Sequence, residues 1–165
     1  MARLNPYTHS RGYTLLELLV VMLIAGILLG MATLQLMPTA QSVLREEAQR
    51  LAFLMENGAL SAQAGGQALA WSGSSHSYRF WQRTREGEWV RIERDELLHP
   101  RSLPETATIG EVRFNDRVLE PGALLVLSPE LSAKTFRVRL YNGKLYADIL
   151  GNGLGKVDIH EGVMR

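Results

Sequence analysis

Between residues 13 and 37 the chain reads YTLLELLVVMLIAGILLGMATLQLM, with Pro38 immediately after it. Glu17 is the one strongly ionisable side chain in that stretch. A helix of this length, rising roughly 1.5 Å per residue, exceeds a hydrocarbon core of about 30 Å. A helix buried in a soluble core would carry a polar stripe, and this one has none. The stretch therefore reads as a transmembrane helix. Arg3 and Arg11 precede it without an acid, whereas Arg45, Glu46, Glu47 and Arg50 follow it in balanced signs. The positive-inside bias keeps the N-terminus cytoplasmic and sends the C-terminal bulk across the membrane. A cleaved secretory signal would have a shorter apolar region of about 7–15 residues ending in small residues. Pro38-Thr39-Ala40 is a poor match to such an end, so the segment is expected to be retained.

Outside this helix the composition is unremarkable for one domain. The chain has 165 residues, with 18 Lys+Arg against 17 Asp+Glu and no cysteine. Near-neutral charge gives no whole-chain footprint for nucleic acid. The lack of cysteine excludes disulfides, thiolate zinc sites, iron–sulfur clusters and a cysteine nucleophile.

Glu17 is the residue that sets the apolar stretch apart. A carboxylate at a bilayer centre costs on the order of 2.5–3.5 kcal/mol, and an acid inside a membrane needs a partner. Its neighbours are Arg11-Gly12-Tyr13-Thr14-Leu15-Leu16-Glu17-Leu18. This order resembles the processing site of type IV pilins and pseudopilins, which have a short basic leader ending in Gly, then an aromatic residue, and Glu at the fifth mature position. Tyr13 stands where Phe is usual, and keeps the ring. The resemblance implies that a prepilin peptidase cleaves after Gly12 and that Tyr13 becomes the N-methylated first residue. It also implies that Glu17 meets the α-amine of a neighbouring subunit during assembly, relieving two charges that are costly apart in lipid.

Past Pro38 the pattern stays helical. Leu44, Ala48, Leu51, Met55, Ala59 and Ala62 form one apolar stripe, Glu46 and Arg50 form an i,i+4 pair, and Gly65-Gly66 stops the helix. A continuous helix from Thr14 to about Ala64 would be roughly 75 Å long, with Pro38 as its kink point. From Gln67 the period changes to that of strands. Tyr78–Gln82, Trp89–Ile92, Val112–Phe114, Val118-Leu119, Ala123–Leu127 and Phe136–Leu140 are each bounded by turn residues. Asn142-Gly143 begins a hairpin turn into Leu145–Ile149. The expected fold class is α+β, with a long N-terminal transmembrane helix packed on a β-sandwich-like domain of six to eight short antiparallel strands.

The string LREEAQRLA at residues 44–52, the strand Tyr78-Arg79-Phe80, and LLHPRSLP at 97–104 are similar to H-type minor pseudopilins of type II secretion. The resemblance divides the chain into a cleaved leader (1–12), a transmembrane half-helix (13–37), a periplasmic half-helix (38–64) and a β-rich domain (65–165). It implies a non-enzymatic subunit of a periplasmic pseudopilus, anchored in the bacterial inner membrane. Its implied partners are the major pseudopilin, other minor pseudopilins, the prepilin peptidase and the inner-membrane assembly platform.

Other chemistry is poorly supported by spacing. His9, His76, His99 and His160 are scattered and read as surface or turn residues, with no metal or cofactor expected. Gly151, Gly153 and Gly155 before Lys156 lack the P-loop spacing and read as a flexible C-terminal loop. Ser72, Ser74, Ser75 and His76 lack a nucleophile elbow and read as a surface turn. Trp71, Tyr78, Phe80, Trp81 and Trp89 are interleaved with Arg79, Arg83 and Arg85, a pattern compatible with stacking on single-stranded nucleic acid. Residues 79–96 hold five arginines and five acids, however, so cross-strand packing is favoured and no nucleic acid is expected. A minor pilin of a type IV pilus shares the same leader and is the nearest rival reading. A membrane-anchored periplasmic enzyme is the more distant one.

Overall fold

The computed structural model describes residues 14–34, 38–127, 135–152 and 155–164. It divides into two compact units, Met1–Pro38 and Thr39–Arg165. In the first, α1 runs from Leu15 to Leu34. Its first turn is closed by the Thr14 carbonyl, which accepts from the Leu18 N–H at 3.2 Å. Among the described residues no helix is long and apolar enough to cross a membrane. Tyr13 and residues 35–37, the two ends of the apolar stretch, lie outside the described residues.

The second unit begins with a helix that has its own N-cap, just past Pro38, the residue expected to kink the helix. Thr39 is extended (φ −77°, ψ 156°), and its hydroxyl accepts from the Ser42 N–H at 3.1 Å. Proline lacks the N–H a helix needs, and Thr39 supplies an N-cap, so the helical ladder restarts here. The new helix, α2, spans Ala40–Gly65 and ends at Gly66 in the left-handed conformation (φ 63°). The whole expected apolar stripe from Leu44 to Ala62 is buried. Because α2 supplies this core, it belongs to the same compact unit as the strands.

Ten strands follow among the described residues: β1 (Leu69–Ser74), β2 (Ser77–Arg83), β3 (Trp89–Arg91), β4 (Arg101–Ser102), β5 (Thr108–Phe114), β6 (Arg117–Val118), β7 (Leu125–Leu127), β8 (Thr135–Asn142), β9 (Leu145–Asn152) and β10 (Val157–Val163). They form two five-stranded antiparallel sheets. One has the order β3-β2-β1-β7, with β4 also on β2, and the other has the order β10-β9-β8-β5-β6. The sheets touch through an isolated bridge, in which the Ile109 N–H donates to the Ser75 carbonyl at 2.6 Å. Helix α2 packs on β8, β9 and β10 of the second sheet and on β1 and β7 of the first. Paired sheets against a helix, the expected α+β architecture, is therefore the one observed.

Strand alternation explains the core. Phe136, Val138 and Leu140 of β8 point inward while Arg137 and Arg139 point outward. Opposite them Ala147 and Ile149 of β9 are fully buried. In the first sheet Leu69, Trp71, Tyr78 and Phe80 face α2, with Trp71 and Phe80 directly paired across β1 and β2.

Two readings of the sequence need correction. Gly151, expected in a flexible C-terminal loop, lies instead in β9; Gly155 lies in the connection to β10, and Gly153 is outside the described residues. Gly151 and Gly162 make room for aromatic rings across the sheet. A Cβ on Gly151 would stand 2.3 Å from the Phe136 ring, and one on Gly162 would stand 2.5 Å from the Tyr146 ring. Ser72 is likewise not part of a surface turn: it is buried in β1 and accepts from Trp81 Nε1–H at 2.8 Å.

Candidate functional site

The cleavage junction, Gly12-Tyr13, lies outside the described residues, which begin one position later. Thr14 and Glu17 stand at the start of α1 in a T-x-x-E arrangement. The Glu17 backbone N–H donates to Thr14 Oγ1 at 3.2 Å, so the threonine caps the helix. The cap uses the Glu17 backbone and leaves its carboxylate exposed. A negative charge in the first turn also complements the positive end of the helix macrodipole. Beyond it, Leu15, Leu16, Leu18, Leu19, Val21 and Met22 are all exposed, Leu15 by 85 %. This apolar surface is far larger than a soluble monomer ordinarily shows.

In the Thr39–Arg165 unit, four polar contacts fix α2 on its bed of strands. Asn142 Nδ2 donates to the Ala40 carbonyl at 3.1 Å and to Thr106 Oγ1 at 3.3 Å, holding the helix start against the β8–β9 hairpin. Arg45 makes a bidentate pair with Glu161 of β10, at 2.8 and 3.0 Å. This hydrogen bonding lowers the Glu161 pKa and raises that of Arg45. Glu56 Oε1 accepts from the Val157 N–H at 3.1 Å.

The fourth contact is buried. Glu47, with 5 % of its side chain exposed, accepts from Arg50 at 2.9 Å and lies 3.6 Å from Arg101 at β4. Its Oε2, the Arg101 Nε and the Tyr78 hydroxyl are buried without a hydrogen-bond partner among the described residues. Burial pushes the Tyr78 phenol up to about 12. The sequence alone does not reveal this cluster, because an acid in LREEAQRLA reads as part of a solvated helix face. A three-residue offset from the apolar stripe (Leu44 to Glu47, Glu47 to Leu51 at four) could have revealed it.

The remaining candidates are separated by the fold. His76, His99 and His160 are exposed, and His99 Nδ1 lies 3.2 Å from the Asp95 carbonyl. Among the described residues no cluster of three or more His, Cys, Asp or Glu side chains could hold a metal. Of the aromatics, Trp71, Tyr78 and Phe80 pack inward, with ring centroids 6.4 Å apart in both the Trp71–Tyr78 and Tyr78–Phe80 pairs. Trp81 and Trp89 stay partly exposed on the other side of the sheet. An open cleft of about 330 Å³ on the second sheet is lined by Arg113, Arg137, Lys156, Asp116 and Asp158, mixed in sign and without a nucleophile–base pair.

Comparison with known proteins supports the N-terminal reading and the fold separately. Residues 7–33 match the family described as "Prokaryotic N-terminal methylation motif", a span that includes Gly12, Tyr13 and Glu17. The structure is similar to that of the minor pseudopilin EpsH from the Type 2 Secretion System of Vibrio cholerae. The TM-score is 0.54 at 15 % sequence identity, covering 71 % of this chain and 95 % of that one. At that identity the likeness is one of fold. No curated protein matches the chain.

Proposed function

We propose that this chain is a minor pseudopilin, a structural subunit of the periplasmic pseudopilus that supports export of folded proteins by type II secretion. The observation that carries the reading is a conjunction: a methylation motif over residues 7–33 precedes a unit with the fold of a minor pseudopilin. Either alone is shared with other proteins; together they match a leader to the domain it delivers.

In this reading a prepilin peptidase cleaves after Gly12 and Tyr13 becomes the methylated N-terminus. The apolar helix anchors the chain in the inner membrane, with the N-terminus cytoplasmic and the Thr39–Arg165 unit in the periplasm. The exposed apolar surface of α1 supports this role, because it has to be covered by lipid or by neighbouring helices. Glu17 then offers its exposed carboxylate to the α-amine of an adjacent subunit, while its backbone stays engaged by Thr14. The chain acts by assembly with the major and other minor pseudopilins on the inner-membrane platform, and not as an enzyme.

The test is mass spectrometry of the native protein together with secretion in a strain lacking it. A methylated N-terminal Tyr13 and lost export, restored by the wild-type gene, are expected. A mature chain beginning at Met1 or near Ala40 overturns the reading. Lost pili with normal export reassign the chain to a type IV pilus.

A further inference from the structure

Residues 79–96 balance five arginines with five acids, yet among the described residues Arg79 and Arg83 of β2 make no ion pair with any of those acids. Along β2, Arg79, Trp81 and Arg83 lie on the solvent side, because Tyr78 and Phe80 are the buried positions. In the register of β2 with β3, Trp81 faces Arg91 and Arg83 faces Trp89. The guanidinium of Arg91 lies 5.6 Å from the Trp81 ring, and that of Arg83 lies 6.0 Å from the Trp89 ring. The result is a checkerboard of cations and indoles on one sheet face. Of the acids, Glu86 and Glu88 lie in the β2–β3 turn, and Asp95 is bonded to the Leu97 and Leu98 N–H groups. Among the described residues only Glu93 pairs with one of these arginines, holding Arg91 at 3.2 Å.

The face is also pre-organised. Trp81 is held by its bond to Ser72, and Arg83 Nε donates to the Gly87 carbonyl at 3.1 Å. A groove of about 290 Å³ runs beside Trp81, lined by Ser74, Ser77, Arg79 and Pro121 among others. Side chains already fixed lose little entropy on binding, and tryptophan and arginine are the residues that most often anchor interfaces.

We propose that the solvent face of β2 and β3 is a docking surface for an extended acidic segment of another protein. Arg79 and Arg83 are four residues apart, about 13 Å at the rise of a strand. An extended partner presents side chains at i and i+4 with the same spacing, so two carboxylates meet the two guanidiniums while the residue between them lies on Trp81. A carboxylate accepts a forked pair of bonds from each arginine. Single-stranded nucleic acid would also stack on indoles, but it relies on a wider positive field, and residues 38–165 balance 16 Lys+Arg with 16 acids once Arg3, Arg11 and Glu17 are set aside. The inference goes beyond the subunit role and holds whether or not Glu17 is an assembly contact.

The test uses the full-length protein in non-ionic detergent and a fluorescent decapeptide carrying Glu at i and i+4 around a Leu. Fluorescence anisotropy is expected to show at least ten-fold tighter binding than for the same peptide with Lys in place of Glu. Arg79→Glu with Arg83→Glu should reverse that preference, and Trp81→Phe should weaken binding without changing its sign. If the charge reversal fails to fold, Arg79→Gln with Arg83→Gln carries the test, and should abolish the preference. Equal affinity for both peptides, or a preference unchanged in the variants, overturns the proposal. So does tighter binding of an oligothymidylate, or self-association that the double variant abolishes, which would assign the face to nucleic acid or to a second copy.

Discussion

Thr14 Oγ1 accepts the backbone N–H of Glu17 at 3.2 Å, so the first turn of α1 is capped through the acidic residue's main chain and not its side chain. The consequence is a division of labour within one residue. Its peptide holds the helix start, and its carboxylate is exposed. Replacing Glu17 by Ala therefore keeps the cap, whereas replacing Thr14 by Val removes it at a cost of about 1 kcal/mol. Glu17→Ala is expected to be processed and to accumulate in the inner membrane, yet to lose cross-linking to neighbouring pseudopilins and most secretion. Thr14→Val is expected to lower helix stability slightly and leave cross-linking intact. Cross-linking and secretion assayed in the same cells decide between them; wild-type levels of both for Glu17→Ala would make the carboxylate dispensable.

Glu47 is expected to be worth more to stability than its surface neighbour Glu46. Its carboxylate is buried between Arg50 and Arg101, whereas Glu46 pairs with Arg50 in the open. Breaking a buried pair leaves the partners uncompensated, although here both arginines are about one-third exposed, which moderates the loss. Glu47→Gln should destabilise the Thr39–Arg165 unit by roughly 1–3 kcal/mol, and Glu46→Gln by less than about 0.5 kcal/mol. Chemical denaturation of both variants measures the difference. Equal effects would contradict the buried arrangement.

Gly110 is expected to resist even the smallest side chain. A Cβ there would stand 2.1 Å from Cε2 of Tyr141, the cross-strand ring that covers it. Gly110→Ala should cost about 1–3 kcal/mol by overpacking. Adding Tyr141→Ser removes the ring and should recover part of that loss. Thermal melting of the single and double variants reads the coupling, and strictly additive losses would show that the ring does not set the limit.

Asp95 sets the acid sensitivity of the segment after β3. Its Oδ1 accepts from Leu98 N–H at 2.8 Å and from Leu97 N–H at 2.9 Å, and these bonds, Leu98 first, lower its pKa. A carboxyl with a lowered folded pKa contributes stability that is fully present above its unfolded pKa of about 4 and is lost as pH falls through the lower folded value. Asp95→Ala should therefore weaken the fold by about 0.5–1 kcal/mol at neutral pH and by progressively less below pH 4. Melting temperatures of wild type and variant followed from pH 7 to pH 3 should converge. A constant gap would remove ionisation from the account.

What the sequence determined by itself follows from local periodicity. The 3.6-residue stripe from Leu44 to Ala62 and the alternation of Phe136, Val138 and Leu140 each specify which face is buried, because burial of a periodic face dominates the energetics of either element. The processing motif was legible for the same reason, being contiguous. Strands β1, β4 and β10 were not, since LAWSGS and VDIHEGV mix small and polar residues and pair only because neighbouring strands and glycine-facing rings supply what they lack. The site features that depend on distant residues were hidden in the same way. Glu47 looks like a surface acid until Arg101, more than fifty residues on, comes within 3.6 Å. Arg79, Trp81 and Arg83 come to one solvent face once β2 turns Tyr78 and Phe80 into the core. Local patterns fix each element's burial, but only the packing of one element on another decides which charges are solvated, which are paired and which remain presented to a partner.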